Sequence, residues 1–231
     1  MPTYDLDTLL GITHELSQNS ERDVYGIPYV EKQDFEFEKI NSDYTLAKYN
    51  NCHASTPLAN YKIGHGFMYD KPLWTIFKKP VSFLKKMGRF VAWVAPDLSI
   101  DMNASVAQAI GIVEQTRWLA RFGQENGQTV FASVGWSREE LDSVCFAGLR
   151  DGAIFFISTL GVDNEMCRPF FLRGYKKMRE LFPHSKIVCL GSRLEGMDDD
   201  VIYVDYRESF GYEDHQQLRL FPQVSLKKGG F

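Results

Sequence analysis

The stretch Arg89–Ser99, RFVAWVAPDLS, decides the fold. Its apolar run from Phe90 to Ala95 has the length and the β-branched and aromatic content of a strand buried on both faces, and Pro96 halts it. Asp97, Leu98 and Ser99 then fall at the carboxyl end of that strand, where open parallel α/β sheets collect their ligands. Downstream the same strand-then-helix order recurs. Asn103 is placed to cap a long helix running toward Asn126, with Val106, Ile110, Val113, Arg117 and Ala120 along one side and Gly127 as a stop. Thr129–Val134 reads as a strand, and Ser137 with Glu140 as a capping box that opens a helix ending near Gly148. Ala153–Ser158 is a further apolar strand. Met166–Phe182 is a helix stopped by Pro183, and Gly174 inside it calls for close packing. Lys186–Leu190 and Val201–Val204 complete the series.

Upstream, Gly64–Tyr69 is a candidate first strand, followed by short helices over Leu73–Lys79 and Val81–Gly88 with Pro80 between them. The pattern predicts an α/β fold with a mostly parallel sheet and helical crossovers, either an open doubly wound sheet or a partial βα barrel. The expected organisation is an N-terminal arm or cover over residues 1–60, the α/β domain over 61–206 and a flexible C-terminal tail over 207–231. Within the arm, Tyr4–His14 reads as a short helix, and DFEFEKI (34–40) alternates like an exposed strand.

The composition, 44% hydrophobic and 14% aromatic over 231 residues, is that of a folded chain rather than a disordered one. No apolar run is long enough to span a membrane. The opening MPTYDLDTLL lacks the basic segment of a signal peptide, which points to a cytoplasmic protein. Cys52, Cys145, Cys167 and Cys189 are scattered and read as free thiols. The net charge of −4 conceals a segregation: Lys62–Arg89 holds seven Lys/Arg against the single acid Asp70. That balance suggests one basic face rather than a basic protein.

Taken together, FMYDKPLWTIFKKPVSFLKKMGRFVAWVAPDLS, VFASVGWS, ISTLGV, FFLRGYKKM and KIVCLG resemble domain-of-unknown-function family four-four-one-seven. The resemblance covers roughly residues 64 to 195. It implies a cytoplasmic protein of phages, plasmids and integrative elements, and it implies no reaction.

Candidate site residues cluster at expected strand ends. Asp70 and Asp97 form a possible carboxylate pair for acid–base or metal chemistry, with Ser99 beside them; the plainer roles are a turn before Pro72 and a loop cap. Trp136, Ser137, Ser158, Gly161 and Gly191 fall on the same edge. Ser137 lacks the G-x-S-x-G of a nucleophile elbow, so N-capping is its reading. Cys52, His53 and His65 lack zinc spacing, and Gly64-His65-Gly66 lacks both the dinucleotide and the Walker pattern. The chain therefore indicates no metal, and its residues identify no cofactor. Lys78, Lys79, Lys85, Lys86 and Arg89, interleaved with Trp74, Phe77, Phe83 and Phe90, are candidates for nucleic-acid contact, as is a second basic helix around Arg168–Arg179. Ordinary solvated helix faces account for both equally.

In the tail, Gln217-Leu218-Arg219-Leu220-Phe221 resembles the QL[SD]LF peptide with which bacterial polymerases and repair proteins bind the DNA sliding clamp. Gln217 would hydrogen-bond at one small site, Leu220 and Phe221 would fill an apolar pocket, and Leu218 would add a secondary contact. The sequence thus suggests a phage or mobile-element protein that docks on the clamp to recruit a replication function or to inhibit the host. The competing reading is an enzyme acting on nucleotides or nucleic acid through the strand-end crevice.

Overall fold

Seven parallel strands lie side by side in the order in which the chain makes them, from β1 to β7. They are β1 (Thr45–Lys48), β2 (Lys62–His65), β3 (Ala92–Val94), β4 (Val130–Ser133), β5 (Ile154–Ser158), β6 (Lys186–Leu190) and β7 (Ile202–Val204). The computed structural model describes residues 15–209 apart from 18, 54 and 163–166. Five α-helices occupy the crossovers: α1 (Asp70–Phe77) and α2 (Pro80–Met87), α3 (Val106–Glu125), α4 (Asp142–Cys145) and α5 (Cys167–Leu181). The Tyr4–His14 and Gln217–Phe221 expectations lie outside the described residues.

The strand order settles which α/β architecture this is. A doubly wound sheet reverses direction at a switch point, which sends helices to both faces. Here every crossover steps the same way, and right-handed crossovers of that kind deposit their helices on one face. The two faces of the sheet show it. One packs Trp93, Val130, Phe155 and Ile187 under Leu73, Phe83, Trp118 and Met178 of the helices. The other collects Ile63, Val94, Phe131, Phe156 and Val188 with no residue from any of the five helices. The result is an open, curled half-barrel. Period-two alternation assigns the faces within each strand: in β5, Ile154 and Phe156 point to the helix-free side, and Phe155 and Ile157 to the helices.

The N-terminal segment covers both sides. Phe35 and Phe37 pack into the helix-free face, where Phe35 meets Phe131 edge-on at 5.2 Å. The expected exposed strand over 34–40 is therefore absent; Phe37–Lys39 is a 3-10 turn whose aromatic residue, Phe37, is drawn inward. Asp23 accepts from the Ile27 and Gly148 backbone N–H groups, and Arg150 lies 3.8 Å over the Tyr29 ring. This ties residues 20–31 to the outer layer. The sheet also begins earlier than expected, because Thr45–Lys48 pairs with Lys62–His65.

Three local expectations shift. The β2 strand ends at His65, and the following Gly66 packs against Pro96 and Leu73 where a side chain would collide. α3 is capped by Ser105, not Asn103: Ser105 Oγ accepts from Gln108 N at 3.2 Å, and Gln108 Oε1 accepts from Ser105 N at 2.8 Å. Ser137 caps nothing. It is fully buried and its hydroxyl donates to the Asp101 carbonyl, so the following 3-10 turn starts at Glu139 without a side-chain cap. The close packing expected at Gly174 is present, and its partner is the Trp136 ring.

Candidate functional site

The carboxyl ends of β2 and β3 bring Asp70, Asp97 and Ser99 together. Asp70 opens α1, immediately after the turn that leaves β2, and Pro96 throws the chain off β3 so that Asp97 and Ser99 return toward it. Ser99 Oγ donates to Asp70 Oδ1 at 3.1 Å, and the Ser99 N–H reaches both Asp70 oxygens at 3.3 Å. Asp97 is half-buried and takes part in no direct hydrogen bond among the described residues. Enclosure of its carboxyl, and then the charge of Asp70, push its pKa up to about 7 against the opposing pull of Arg117. Asp97 is thus placed to gain or lose a proton near neutrality.

Arg117 completes the wall behind Asp97. It projects from α3 and is 2% exposed, with Nη1 donating to the Ser133 carbonyl at 2.8 Å, Nε to Ala147 at 3.2 Å and Nη2 to Cys145 at 3.3 Å. Burial lowers its pKa to about 10, which leaves the guanidinium charged at neutral pH. Ser133 Oγ donates to the Pro96 carbonyl at 3.0 Å and so clamps the ends of β3 and β4. Between Asp97, Arg117, Thr116, Ser133 and Gly135 remains a cavity of about 20 Å³, room for one water.

His65 sits on the helix-free side at the end of β2. It is fully buried, its Nδ1 accepts from the Phe67 N–H at 3.3 Å, and its Nε2 has no partner. Burial, then the charge of Lys48 on the adjoining strand, lowers its pKa to about 3, so the ring is neutral. Among the described residues no group of three or more His, Cys, Asp or Glu could hold a metal ion.

The remaining strand-end residues are structural. Trp136 packs on Phe171 at 4.9 Å and against Gly174; Ser158 Oγ donates to the Leu190 carbonyl and accepts from Leu160 N; Gly191 adopts a φ of 116° against Thr159. Of the basic candidates, Lys78, Lys79, Lys85 and Arg89 are exposed. Lys86 turns inward, donating to the Tyr49 carbonyl at 2.7 Å, and its pKa is lowered by burial. On α5, Arg173 grips Asp142 with contacts at 2.6 and 3.1 Å, and Arg179 grips Asp198 and Asp200. Those two cations are tied into the fold. Arg117 and His65 have roles that the sequence reading did not assign. The available signal was a lone cation in the apolar stripe Val106–Ile110–Val113–Ala120, and a histidine ending an apolar strand.

The chain is similar to the Gene 1 protein of Mycobacterium phage D29, 25% identical over 136 residues, which is 58% of this chain and 50% of the phage protein. It is likewise similar to the Gene 1 protein of Mycobacterium phage L5, 28% identical over 136 residues, 58% of this chain and 59% of that protein. The chain therefore spans little more than half the length of these curated phage relatives. No solved structure matches it significantly. A family model matches residues 20–207, a wider span than 64–195. The chain belongs to that family, Domain of unknown function (DUF4417).

Proposed function

We propose that this phage-associated domain performs acid–base chemistry on a nucleotide or nucleic acid at the ends of β2 and β3. The supporting observation is the meeting of Asp70 and Asp97, with Asp97 poised to gain or lose a proton near neutral pH. Asp97 would move the proton, and Asp70, fixed by Ser99, would be its partner carboxyl. Arg117 and the Ser133–Pro96 bond hold the floor in place. The test is to incubate the protein with nucleoside triphosphates and labelled oligonucleotides across pH 5–9. Turnover with a limb near pH 7, lost in Asp97→Asn, supports the reading. The same turnover in Asp97→Asn rejects it.

A second reading rests on the tail. Gln217, Leu218, Leu220 and Phe221 match the clamp-binding peptide and lie past residue 207, where the family match ends. An added peptide of this kind would dock the domain on the sliding clamp of the host polymerase, to recruit it to replicating DNA or to inhibit the host. Calorimetric titration into a bacterial clamp should show a Kd on the order of micromolar. A Gln217→Ala, Leu220→Ala, Phe221→Ala variant of equal thermal stability should show no heat; equal heats would exclude the peptide.

A further inference from the structure

We infer that the α1–α2 hairpin is a platform for single-stranded nucleic acid, laid out so that a bound strand leads to Asp70. The inference deepens the strand-end reading and rests on it for the purpose of binding, though not for binding itself.

The first observation is unneutralised charge. Between Lys71 and Arg89 the chain has six basic residues and no acid. Lys71, Lys78, Lys79, Lys85 and Arg89 are exposed, and none has an ionic partner among the described residues. Elsewhere many of the cations are matched: Arg22 pairs with Glu114, Arg121 with Glu31 and Glu125, Arg150 with Glu21, Arg173 with Asp142, Arg179 with Asp198, Lys186 with Glu38 and Arg193 with Asp199. A chain of net charge −4 thus keeps the stretch from Lys71 to Arg89 free of acids while pairing these cations on the rest of its surface. Such a patch attracts a polyanion and releases its counterions on contact.

The second observation is exposed aromatic surface within that patch. Trp74 is 39% exposed on α1, held at its edge by Phe77 at 5.9 Å, and Tyr69 is 81% exposed just before the helix. On an α-helix, Asp70, Trp74 and Lys78 follow one another at four-residue steps, about 6 Å apart along the axis. The site carboxylate, a stacking ring and a phosphate-binding cation therefore run along one side of the hairpin. Base stacking on tryptophan needs a base whose face is free, which a duplex does not offer along its length. Charge alone would bind either form; charge combined with an exposed ring favours the single strand.

The test is fluorescence anisotropy of the full chain with labelled twelve-nucleotide oligo(dT), oligo(rU) and a mixed-sequence duplex, titrated across salt concentrations. Both single strands should bind more tightly than the duplex. Lys78→Ala, Lys79→Ala, Lys85→Ala combined should weaken binding and reduce the salt slope by about 2. Trp74→Ala should weaken binding about fivefold to a hundredfold with the slope unchanged, and Trp74→Phe should restore most of it. Lys176→Ala, an exposed cation on α5, should change nothing. Absence of binding at low salt, tighter binding to duplex, or an equal loss from Lys176→Ala overturns the platform. Asp97→Asn should bind oligonucleotide as the wild type does. Binding without Asp97-dependent turnover therefore rejects the acid–base reading and leaves the platform standing. Turnover without binding to the hairpin does the reverse.

Discussion

Ser99 gives both of its polar hydrogens to Asp70, its hydroxyl to Oδ1 at 3.1 Å and its backbone N–H to both oxygens at 3.3 Å. The bonds aim the Asp70 carboxylate, because donors fixed on both of its oxygens hold its orientation. Asp97 nearby feels that fixed charge. In Asp70→Asn the Asp97 pKa should therefore fall from about 7 yet stay above its ordinary value, since enclosure is the larger cause. Carboxyl carbon chemical shifts followed through a pH titration would report it; an unchanged Asp97 midpoint would mean that the pair does not communicate.

Asp97 should make stability depend on pH. Its folded pKa of about 7 lies above the ordinary 3.8, so between those values the native state holds a proton that the unfolded chain has released. Its contribution to stability is present at low pH and is lost as pH rises toward 7. Asp97→Asn should unfold at higher denaturant concentration than wild type above pH 7, by about 1 kcal/mol or more, with the gap closing below pH 4. Urea titrations at pH 4 and pH 8 suffice, and an equal gap at both would contradict the assignment.

His65 should act in the opposite direction. Its folded pKa of about 3 lies below the ordinary 6.5, so the unfolded chain takes up the proton first. Stability from keeping the ring neutral is complete above pH 6.5 and is lost as pH falls toward 3. His65→Gln should cost roughly 1–3 kcal/mol at pH 7 through lost packing and hydrogen bonding. It should also flatten the acid limb of the stability curve. A parallel acid limb in wild type and variant would place the titrating group elsewhere.

Gly174 sets two effects against each other. Replacing a mid-helix glycine by alanine should stabilise by about 1 kcal/mol from backbone entropy alone. Here the added methyl would enter the Trp136 ring, which also packs on Phe171 at 4.9 Å. Overpacking of about 1–3 kcal/mol should win. Gly174→Ala is expected to lower the melting temperature, and Gly174→Ala with Trp136→Phe to recover part of the loss. A rise in the single variant would show that the ring yields freely.

The strands were readable because burial on both faces removes alternation and leaves apolar runs such as Phe90–Ala95, AIFFIS and KIVCL. The same property hid the architecture: a strand apolar on both faces is compatible with helices on two sides or on one. Only the pairing order distinguishes them. β1 escaped notice because Thr45-Leu46-Ala47-Lys48 is short and ends in a lysine that is buried in the fold. Asp70 and Asp97 were legible as residues following strands, and their meeting follows from the adjacency of β2 and β3. Arg117 was not, since its partners are backbone carbonyls of Ser133, Cys145 and Ala147, which carry no side-chain signature. Ser137 misled for a related reason. A Ser-x-x-Glu spacing specifies a cap only when the serine hydroxyl has no stronger claim on it, and the Asp101 carbonyl takes it.

The strand order also has a consequence in time. Each strand pairs with the one made just before it, as in Thr45 with Lys62, Ile63 with Ala92, Trp93 with Val130 and Val188 with Ile202. No pairing waits for a distant part of the chain, so loop-closure entropy is met in modest instalments. A chain leaving the ribosome can add one strand and its covering helix to an existing edge, much as a repeat protein grows by neighbours. A further long-range tie follows β7. Tyr206, beyond β7, donates its hydroxyl to the carbonyl of Phe67 at 3.0 Å, two residues past the end of β2. Synthesis thus finishes by fastening the newest part of the domain beside one of the oldest, and the curl of the sheet is sealed only when translation of the domain is complete.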